Sequence, residues 1–421
     1  MKASQFKKKL NTAHQSFQED GFTGLSIKTL EFLQKQQRRK GNSRLKIAID
    51  TTAIYEDLLT IDLSQKANAN WTAPKQHKDS LKIGWLMPPP GKGSGGHMTL
   101  FRFIKYFEDA GHECRLYFHN PGKGSTVSGV RDAMGNGFPK IKAKMSWLQQ
   151  GDEMDECDVL FATSWQTAYT VYNSKVGAKR FYFVQDFEPY FYPTGTHSIL
   201  AENTYKLGLR GVTAGGWLAK RLHDEYGMTT TPFDFGSDSE TYRFENDTKR
   251  KEIVFYARPT TPRRAFELGI LVLDIFHKMH PDYTINFIGW DVTEFNIPFP
   301  YENLGILNHD ELNDVYNRCA TSLVMSLTNM SLLPLELLSS GCIPVVNEGQ
   351  NNRLVSNNKY IHYADSDPLS LAKSLSEVVT KKDLQVYAKK ASQSVQACSW
   401  DDSGRKVVST VVQAYHTDGN G

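Results

Sequence analysis

The sequence predicts an α/β protein of two doubly wound, Rossmann-like domains facing each other across a cleft, with a helical extension at the N-terminus. Three observations carry this. The chain has 421 residues, more than one hydrophobic core comfortably fills, so two domains plus an extension are expected. Strand-like apolar runs alternate with helix-periodic segments, the pattern of a parallel sheet with crossover helices. The alternation occurs twice, on either side of a polar stretch at 245–251.

The expected divisions are 1–80 for a helical extension and linker, 81–247 and 248–398 for the two Rossmann-like domains, and 399–421 for a last helix packing back towards the first domain. Before Leu81, Ala67, Asn68, Ala69, Asn70 and Pro74 read as a polar linker, since Asn and Pro punctuate without a strand pattern. From Leu81 an apolar strand runs into Pro88, Pro89, Pro90 and the glycines Gly91, Gly93, Gly95 and Gly96. Leu100, Phe103, Ile104 and Phe107 then recur at helical spacing. Further strands are expected at 158–162, 181–184 and 211–214. The second series has strands at 252–257, 283–288, 321–326 and 343–346, and helices at 265–279, 311–319 and 334–339. Ligands of such folds bind at the carboxyl ends of the strands, so the cleft is the expected site.

Composition excludes several classes. With 40% hydrophobic and 23% charged residues and no apolar run of spanning length, no integral membrane protein is expected. Five scattered cysteines without CxxC spacing argue against a disulfide framework and against a zinc site, and fit a reducing cytoplasm. The N-terminus shows no apolar h-region of a secretory signal. A net charge of +3 is too small to imply nucleic-acid binding. It is uneven, however, with Lys7, Lys8, Lys9, Arg38, Arg39 and Lys40 near the start. That basic patch is either an attraction to an anionic membrane surface or the solvated face of helices docked through Leu30 and Leu33.

Two segments of the second domain carry chemistry. After its first strand, Arg258, Arg263 and Arg264 share one loop that opens a helix. Guanidinium groups make paired hydrogen bonds to phosphate oxygens and stay charged, although a solvated basic loop has the same composition. Farther on, a helix starts at Pro334 and ends at Gly341, with Glu336 in its first turn beside the amides of Leu332 and Leu333. Such amides can hold a diphosphate and such a carboxylate a ribose hydroxyl; the alternative is a glutamate that merely complements the helix dipole. Trp290, after Gly289, either stacks near a nucleobase or edges the core. Asp365 and Asp367 form the one Asp-x-Asp match, but they precede Pro368 and read as a helix N-cap rather than a metal site. The acidic run from Asp152 to Asp158 reads as a solvated loop.

The spacing of Arg258 and Arg263, followed by Pro334-Leu335-Glu336, Gly341 and Pro344-Val345-Val346, resembles the donor half of the retaining family four glycosyltransferases of the GT-B type. Gly95-Gly96 with Gly111-His112-Glu113, Gly236-Ser237-Asp238 with Phe244, and Ser399-Trp400 extend the resemblance over 81–421. Val184-Gln185-Asp186-Phe187-Glu188-Pro189-Tyr190 and Leu332-Leu333-Pro334-Leu335-Glu336 look most like the rhamnan-synthesis and surface-layer-glycan rhamnosyltransferases. This resemblance implies metal-independent transfer of L-rhamnose from dTDP-β-L-rhamnose, with retention, to a surface glycan that is free or lipid-linked. It implies no cofactor beyond the nucleotide sugar. Arg258, Arg263, Arg264, Leu332 and Leu333 would hold the diphosphate, and Glu336, Gly289 and Trp290 the nucleoside. Thr328 and Asn329 would face the donor sugar, Gly95 and Gly96 the acceptor, and His97, Asp186 and Glu188 are the candidate catalytic residues.

One departure is visible: the family usually has a glutamate eight residues before Glu336, where this chain has Thr328. A 6-deoxy sugar, with fewer hydroxyls, tolerates that loss; weak or absent catalysis is the other consequence. The alternatives are therefore a GDP- or UDP-hexose donor on the same fold, or an inactive glycan-binding scaffold. The expected setting is the cytoplasm, with peripheral membrane contact or homodimerisation through the extension.

Overall fold

The computed structural model describes residues 55–91, 94–119, 126–135, 138–148 and 152–419. The expected N-terminal helices and basic patch, with Leu30 and Leu33, lie outside these residues, as does Gly93 of the glycine loop.

The first sheet comprises β1 (Lys82–Met87), β2 (Glu113–His119), β3 (Lys144–Leu148), β4 (Val159–Ala162), β5 (Lys179–Val184), β6 (Arg210–Ala214) and β7 (Thr230–Phe233). All its pairings are parallel, in the order β3-β2-β1-β4-β5-β6-β7. Helices α1 (Tyr55–Leu59), α2 (Gly95–Asp109), α3 (Val127–Met134), α4 (Trp165–Asn173), α5 (Thr196–Asn203) and α6 (Gly215–Tyr226) accompany it. The central strands are buried along almost their whole length, as a parallel sheet covered on both faces requires. Helix α2 buries Leu100, Phe101, Phe103, Ile104 and Phe107 against them, the face predicted by the helical spacing.

The second sheet comprises β8 (Glu252–Tyr256), β9 (Thr284–Ile288), β10 (Glu302–Gly305), β11 (Cys319–Val324), β12 (Ile343–Asn347) and β13 (His362–Ala364), again parallel, in the order β10-β9-β8-β11-β12-β13. Its helices are α7 (Phe266–Met279), α8 (His309–Arg318), α9 (Leu333–Ser339), α10 (Gln350–Arg353), α11 (Pro368–Val379) and α12 (Leu384–Gln393). Both sheets thus run outward from a first strand in the Rossmann order, and each has its own buried core. The last helix, α13 (Trp400–Tyr415), belongs to the first core through Trp400, Val407, Val411, Ala414 and Tyr415. Where it crosses over, a Cβ on Gly236 would lie 2.4 Å from the Trp400 nitrogen and one on Gly404 2.5 Å from the Tyr106 ring, so neither position admits a side chain. Both sheets belong to a single compact unit of the chain.

The stretch read as a polar linker is instead a strap on the first domain. Asn68 is 1% exposed; its amide donates to the Arg180 and Gly208 carbonyls while its oxygen accepts from Arg180 N–H. Trp71 donates from its indole to Tyr415 O. Here Asn68 satisfies backbone groups at the amino end of β5. Among the described residues no helix is long and apolar enough to cross a membrane.

Candidate active site

In each sheet the strand order reverses between the first and fourth strands, so the switch points lie between β1 and β4 and between β8 and β11. Four loops leave the carboxyl ends of these strands: the glycine loop after β1, the Thr163–Ser164 turn after β4, the arginine loop after β8 and the 325–332 loop after β11. That topology alone brings Arg258, Arg263 and Arg264 near Thr328, Asn329, Leu332 and Leu333.

The arginine loop is tightly built. After Ala257 it turns through the short 3-10 segment Pro262–Arg264, and Ala265 then takes a left-handed conformation, φ 46°, before α7 starts. An alanine there costs about 1 kcal/mol in backbone strain, a feature that clusters at functional sites. Each guanidinium is fixed by a different partner. Arg258 Nη2 donates to the Tyr256 hydroxyl at 2.6 Å, and Arg264 Nη1 to Ser326 Oγ at 2.7 Å. Arg263 Nε donates to Asp186 at 3.2 Å, and its guanidinium lies 4.0 Å from the Phe191 ring centroid. Burial, and then repulsion from Arg263 and Arg258, pushes the Arg264 guanidinium below its ordinary pKa, while Asp186 acts the other way. Among the described residues only Arg263 of these three cations pairs with a carboxylate, which leaves an excess of positive charge, the condition under which a diphosphate binds.

Leu332 and Leu333 open α9, and their N–H groups have no intrahelical acceptor, whereas Pro334 carries no N–H and the Leu335 N–H donates to Leu332 O at 2.9 Å. Glu336 follows in the first turn, and its carboxyl accepts no side-chain hydrogen bond among the described residues. Burial and, secondarily, Asp238 push it up to about 8, with Arg102 opposing. Asp238 pairs with Arg102 at 3.3 Å, which ties the interdomain segment to α2. Gly289 has φ +89°, and a Cβ there would lie 2.6 Å from the Tyr256 ring that steadies Arg258. Trp290 packs partly buried against the second core.

The acceptor-side residues are occupied differently from the expectation. His97 Nε2 donates to Pro88 O at 3.0 Å, so Nδ1 accepts from Ser94 Oγ at 2.8 Å, and burial lowers its pKa. With both nitrogens engaged, it fastens the glycine loop rather than standing ready as a base. Gly95 and Gly96 are exposed at the start of α2, and Gly96 O accepts from Gln185 Nε2. Glu188 is 6% exposed, accepting from Trp165 N–H at 2.8 Å and from the Tyr182 hydroxyl. It caps the amino terminus of α4, and burial raises it to about 7. The structure therefore gives Glu188 a structural place, because its carboxylate is spent inside the first domain.

Asp186 is also spent, but across the cleft. Its Oδ2 accepts from Arg263 Nε and from Thr328 Oγ1 at 3.0 Å; its Oδ1 accepts from Phe187 N–H at 2.9 Å and Asn329 N–H at 3.0 Å. Asn329 further donates to the Gln185 and Ala214 carbonyls. Thr328 and Asn329, expected at the donor sugar, are 1% and 2% exposed and face the first domain instead. Tyr256, Phe191, Ser326 and Arg102 are not marked for the site by the sequence; apart from Arg258 with Tyr256, two residues apart, the contacts that tie them to it join residues distant in sequence. Asp367 accepts from the amides of Leu369 and Ser370, the N-cap expected of it. A separate cavity of about 580 Å³ beside Trp71, Tyr172 and Arg180 lies at the opposite, amino-terminal end of β5. There the Arg180 guanidinium is already committed to the Ala67 and Ser174 carbonyls.

Comparison with known proteins agrees with this geometry. Residues 148–214 match the model of the WsaF N-terminal domain, and 251–376 that of the WsaF C-terminal domain. The chain is 30% identical over 329 residues to the O-antigen biosynthesis protein RfbC of Myxococcus xanthus. That match takes in 75% of this chain but only 26% of RfbC, so the chain spans about a quarter of that relative's length. HepE of Anabaena, solved in complex with UDP-glucose, superposes with a TM-score of 0.62 at 13% identity, over 79% of this chain and 100% of HepE. TarM gives 0.64 at 9% identity, over 80% and 99%. The chain has the GT-B fold.

Proposed function

We propose that this protein is a metal-independent, retaining glycosyltransferase that moves L-rhamnose from dTDP-β-L-rhamnose onto a bacterial surface polysaccharide. The observation that carries the transfer reading is the arginine loop, with three guanidinium groups at the switch point of the second sheet, beside the Leu332 and Leu333 amides and a Glu336 carboxyl that has no hydrogen-bond partner among the described residues. The names of the relatives, O-antigen biosynthesis and UDP-glucose binding, support the same class.

In this reading Arg258, Arg263, Arg264 and the amides of Leu332 and Leu333 hold the diphosphate, and Glu336 accepts from a ribose hydroxyl. The acceptor O–H attacks the anomeric carbon on the face the donor leaves, the bond from that carbon to the phosphate oxygen breaks, and the proton passes to the departing oxygen. No protein nucleophile takes part, so the enzyme supplies position and electrostatic stabilisation. The choice of a 6-deoxy sugar rests on the resemblance and on Thr328: with Thr328 and Asn329 turned to Asp186, the 325–332 loop offers no carboxylate to additional sugar hydroxyls. A UDP-hexose donor is the second reading, favoured by the neighbour solved with UDP-glucose. The acceptor is proposed to be presented at a membrane surface as a lipid-linked glycan.

The test is release of nucleoside diphosphate from dTDP-L-rhamnose, UDP-glucose and GDP-mannose, with EDTA present and a polysaccharide extract as acceptor. Turnover of dTDP-rhamnose above the others is expected. Preference for another donor overturns the sugar assignment, and no turnover of any favours a glycan-binding scaffold.

A further inference from the structure

Asp186 sits on the first domain, yet three of the four donors it accepts from belong to the second: Arg263 Nε, Thr328 Oγ1 and Asn329 N–H. It is 9% exposed, so these bonds form in a site largely closed to water. Arg263 is held on two sides, through Nε by Asp186 and through its face by Phe191, also of the first domain. Its two Nη atoms make no hydrogen bond among the described residues, and its side chain remains 26% exposed. Arg258 and Arg264 differ, because each spends an Nη on its own domain, on Tyr256 and Ser326. A guanidinium pinned by Nε and one face presents its terminal fork in a single direction, the geometry for paired bonds to a phosphate.

We propose that Asp186 is a positioning residue for the transfer reaction, one that aims the Arg263 fork at the leaving diphosphate and makes that aim conditional on the two domains being closed. This rests on the transferase reading above and adds to it a coupling between domains. When the domains part, Arg263 loses both Asp186 and Phe191 and the fork turns freely. When they meet, the carboxylate orders Arg263 and also Thr328 and Asn329, so the arginine and 325–332 loops are set together. The carboxylate never touches the substrate. Its effect is on charge stabilisation in the transition state, more than on holding the nucleotide in the ground state.

The experiment is a double-mutant cycle of Asp186→Asn and Arg263→Ala on the full chain, measuring kcat and donor KM with dTDP-rhamnose. Asp186→Asn is expected to lower kcat by about tenfold or more while KM changes less than about threefold, the signature of an interaction made in the transition state. In the Arg263→Ala background the same substitution is expected to lower kcat by at least about threefold less than in the wild type, the remainder coming through Thr328 and Asn329, since coupled residues are non-additive. An equal effect in both backgrounds, or no loss of kcat on Asp186→Asn, overturns the proposal, because a general loosening of the interface acts whether or not Arg263 is present. Should Asp186→Asn fail to fold, Phe191→Leu replaces it in the cycle with the same expectation. If wild-type protein turns over no nucleotide sugar, the transferase reading fails on its own, and the cycle is read in the calorimetric affinity for dTDP. Because dTDP carries the full charge of the departed diphosphate, which the intact donor lacks, coupling of positions 186 and 263 there sustains the positioning role, and additivity overturns it.

Discussion

The two halves of the cleft treat their ionisable groups in opposite ways. On the first sheet both nitrogens of His97 and both carboxyl oxygens of Glu188 and of Asp186 are engaged by the protein. On the second, among the described residues, Arg263 has an open fork, Glu336 a carboxyl without a hydrogen-bond partner, and only one of three guanidinium groups pairs with a carboxylate. An unspent group retains interaction free energy for a ligand, whereas a satisfied one contributes to folding. In the proposed function the second sheet is therefore the binding half, and the charged residues of the first mostly shape and close it.

That contrast is broken most directly by comparing truncations across the cleft. Arg263→Ala and Arg258→Ala are each expected to lower kcat/KM by about 100-fold or more, the scale of losing a preorganised donor to a developing charge. His97→Ala is expected to cost less than about tenfold, through a loosened glycine loop. A larger effect at His97 than at the arginines, in steady-state assays with the donor varied, would reverse the assignment of the two halves.

Glu336 sharpens it next. Because its carboxyl is raised to about 8, it is mostly neutral at pH 7 and ionises as pH rises through that value. A carboxylate accepts from a ribose hydroxyl better than a neutral acid does, so nucleoside affinity should strengthen from pH 7 to 9. Glu336→Gln should weaken binding by about tenfold at the upper pH and abolish the dependence. A pH-independent wild type in calorimetry would remove Glu336 from the nucleoside site.

Glu188 is the counterpart on the structural side. Its folded pKa, about 7, lies above its ordinary 4.5. The folded protein therefore binds more protons between these values, and this contribution to stability is present in full at acid pH and declines as pH rises from 4.5 to 7. Glu188→Gln should flatten the dependence of urea midpoints over that range, and Glu188→Ala should cost about 1–3 kcal/mol by stranding the Trp165 amide and the Tyr182 hydroxyl. Loss of activity in folded Glu188→Gln would return it to the catalytic set. The smallest contrast concerns the crossover: Gly236→Ala forces a methyl onto Trp400 and should cost about 1–3 kcal/mol, with kcat changed little.

What could be read in advance follows from locality. The arginine loop and α9 were legible because strand, loop, proline start and glycine end succeed one another within about 10–20 residues, each with a local physical cause. The central strands were legible as apolar runs. The outer strands β2, β3, β7, β10 and β13 were not. Glu113 to His119 mixes charged and aromatic residues, β7 contains Pro232, and β10 pairs with a shift in register near Asn303. Neighbours rather than propensity decide such strands, whether at an edge, as β7 and β10 are, or one strand in, as β2 is. The strap at Asn68 and the latch from Asp186 to Arg263, Thr328 and Asn329 were hidden for a stronger reason. They join positions 77 to 143 residues apart, and nothing local in either partner marks the pairing.

The most direct test of the account is calorimetric binding of thymidine, dTMP and dTDP, in EDTA, to wild-type protein and to Arg258→Ala and Arg263→Ala. The account predicts that affinity rises steeply from dTMP to dTDP in wild type and that the two variants lose that increment while still binding thymidine alike. Equal affinity of all three proteins for dTDP would contradict the assignment of the arginine loop as the diphosphate site.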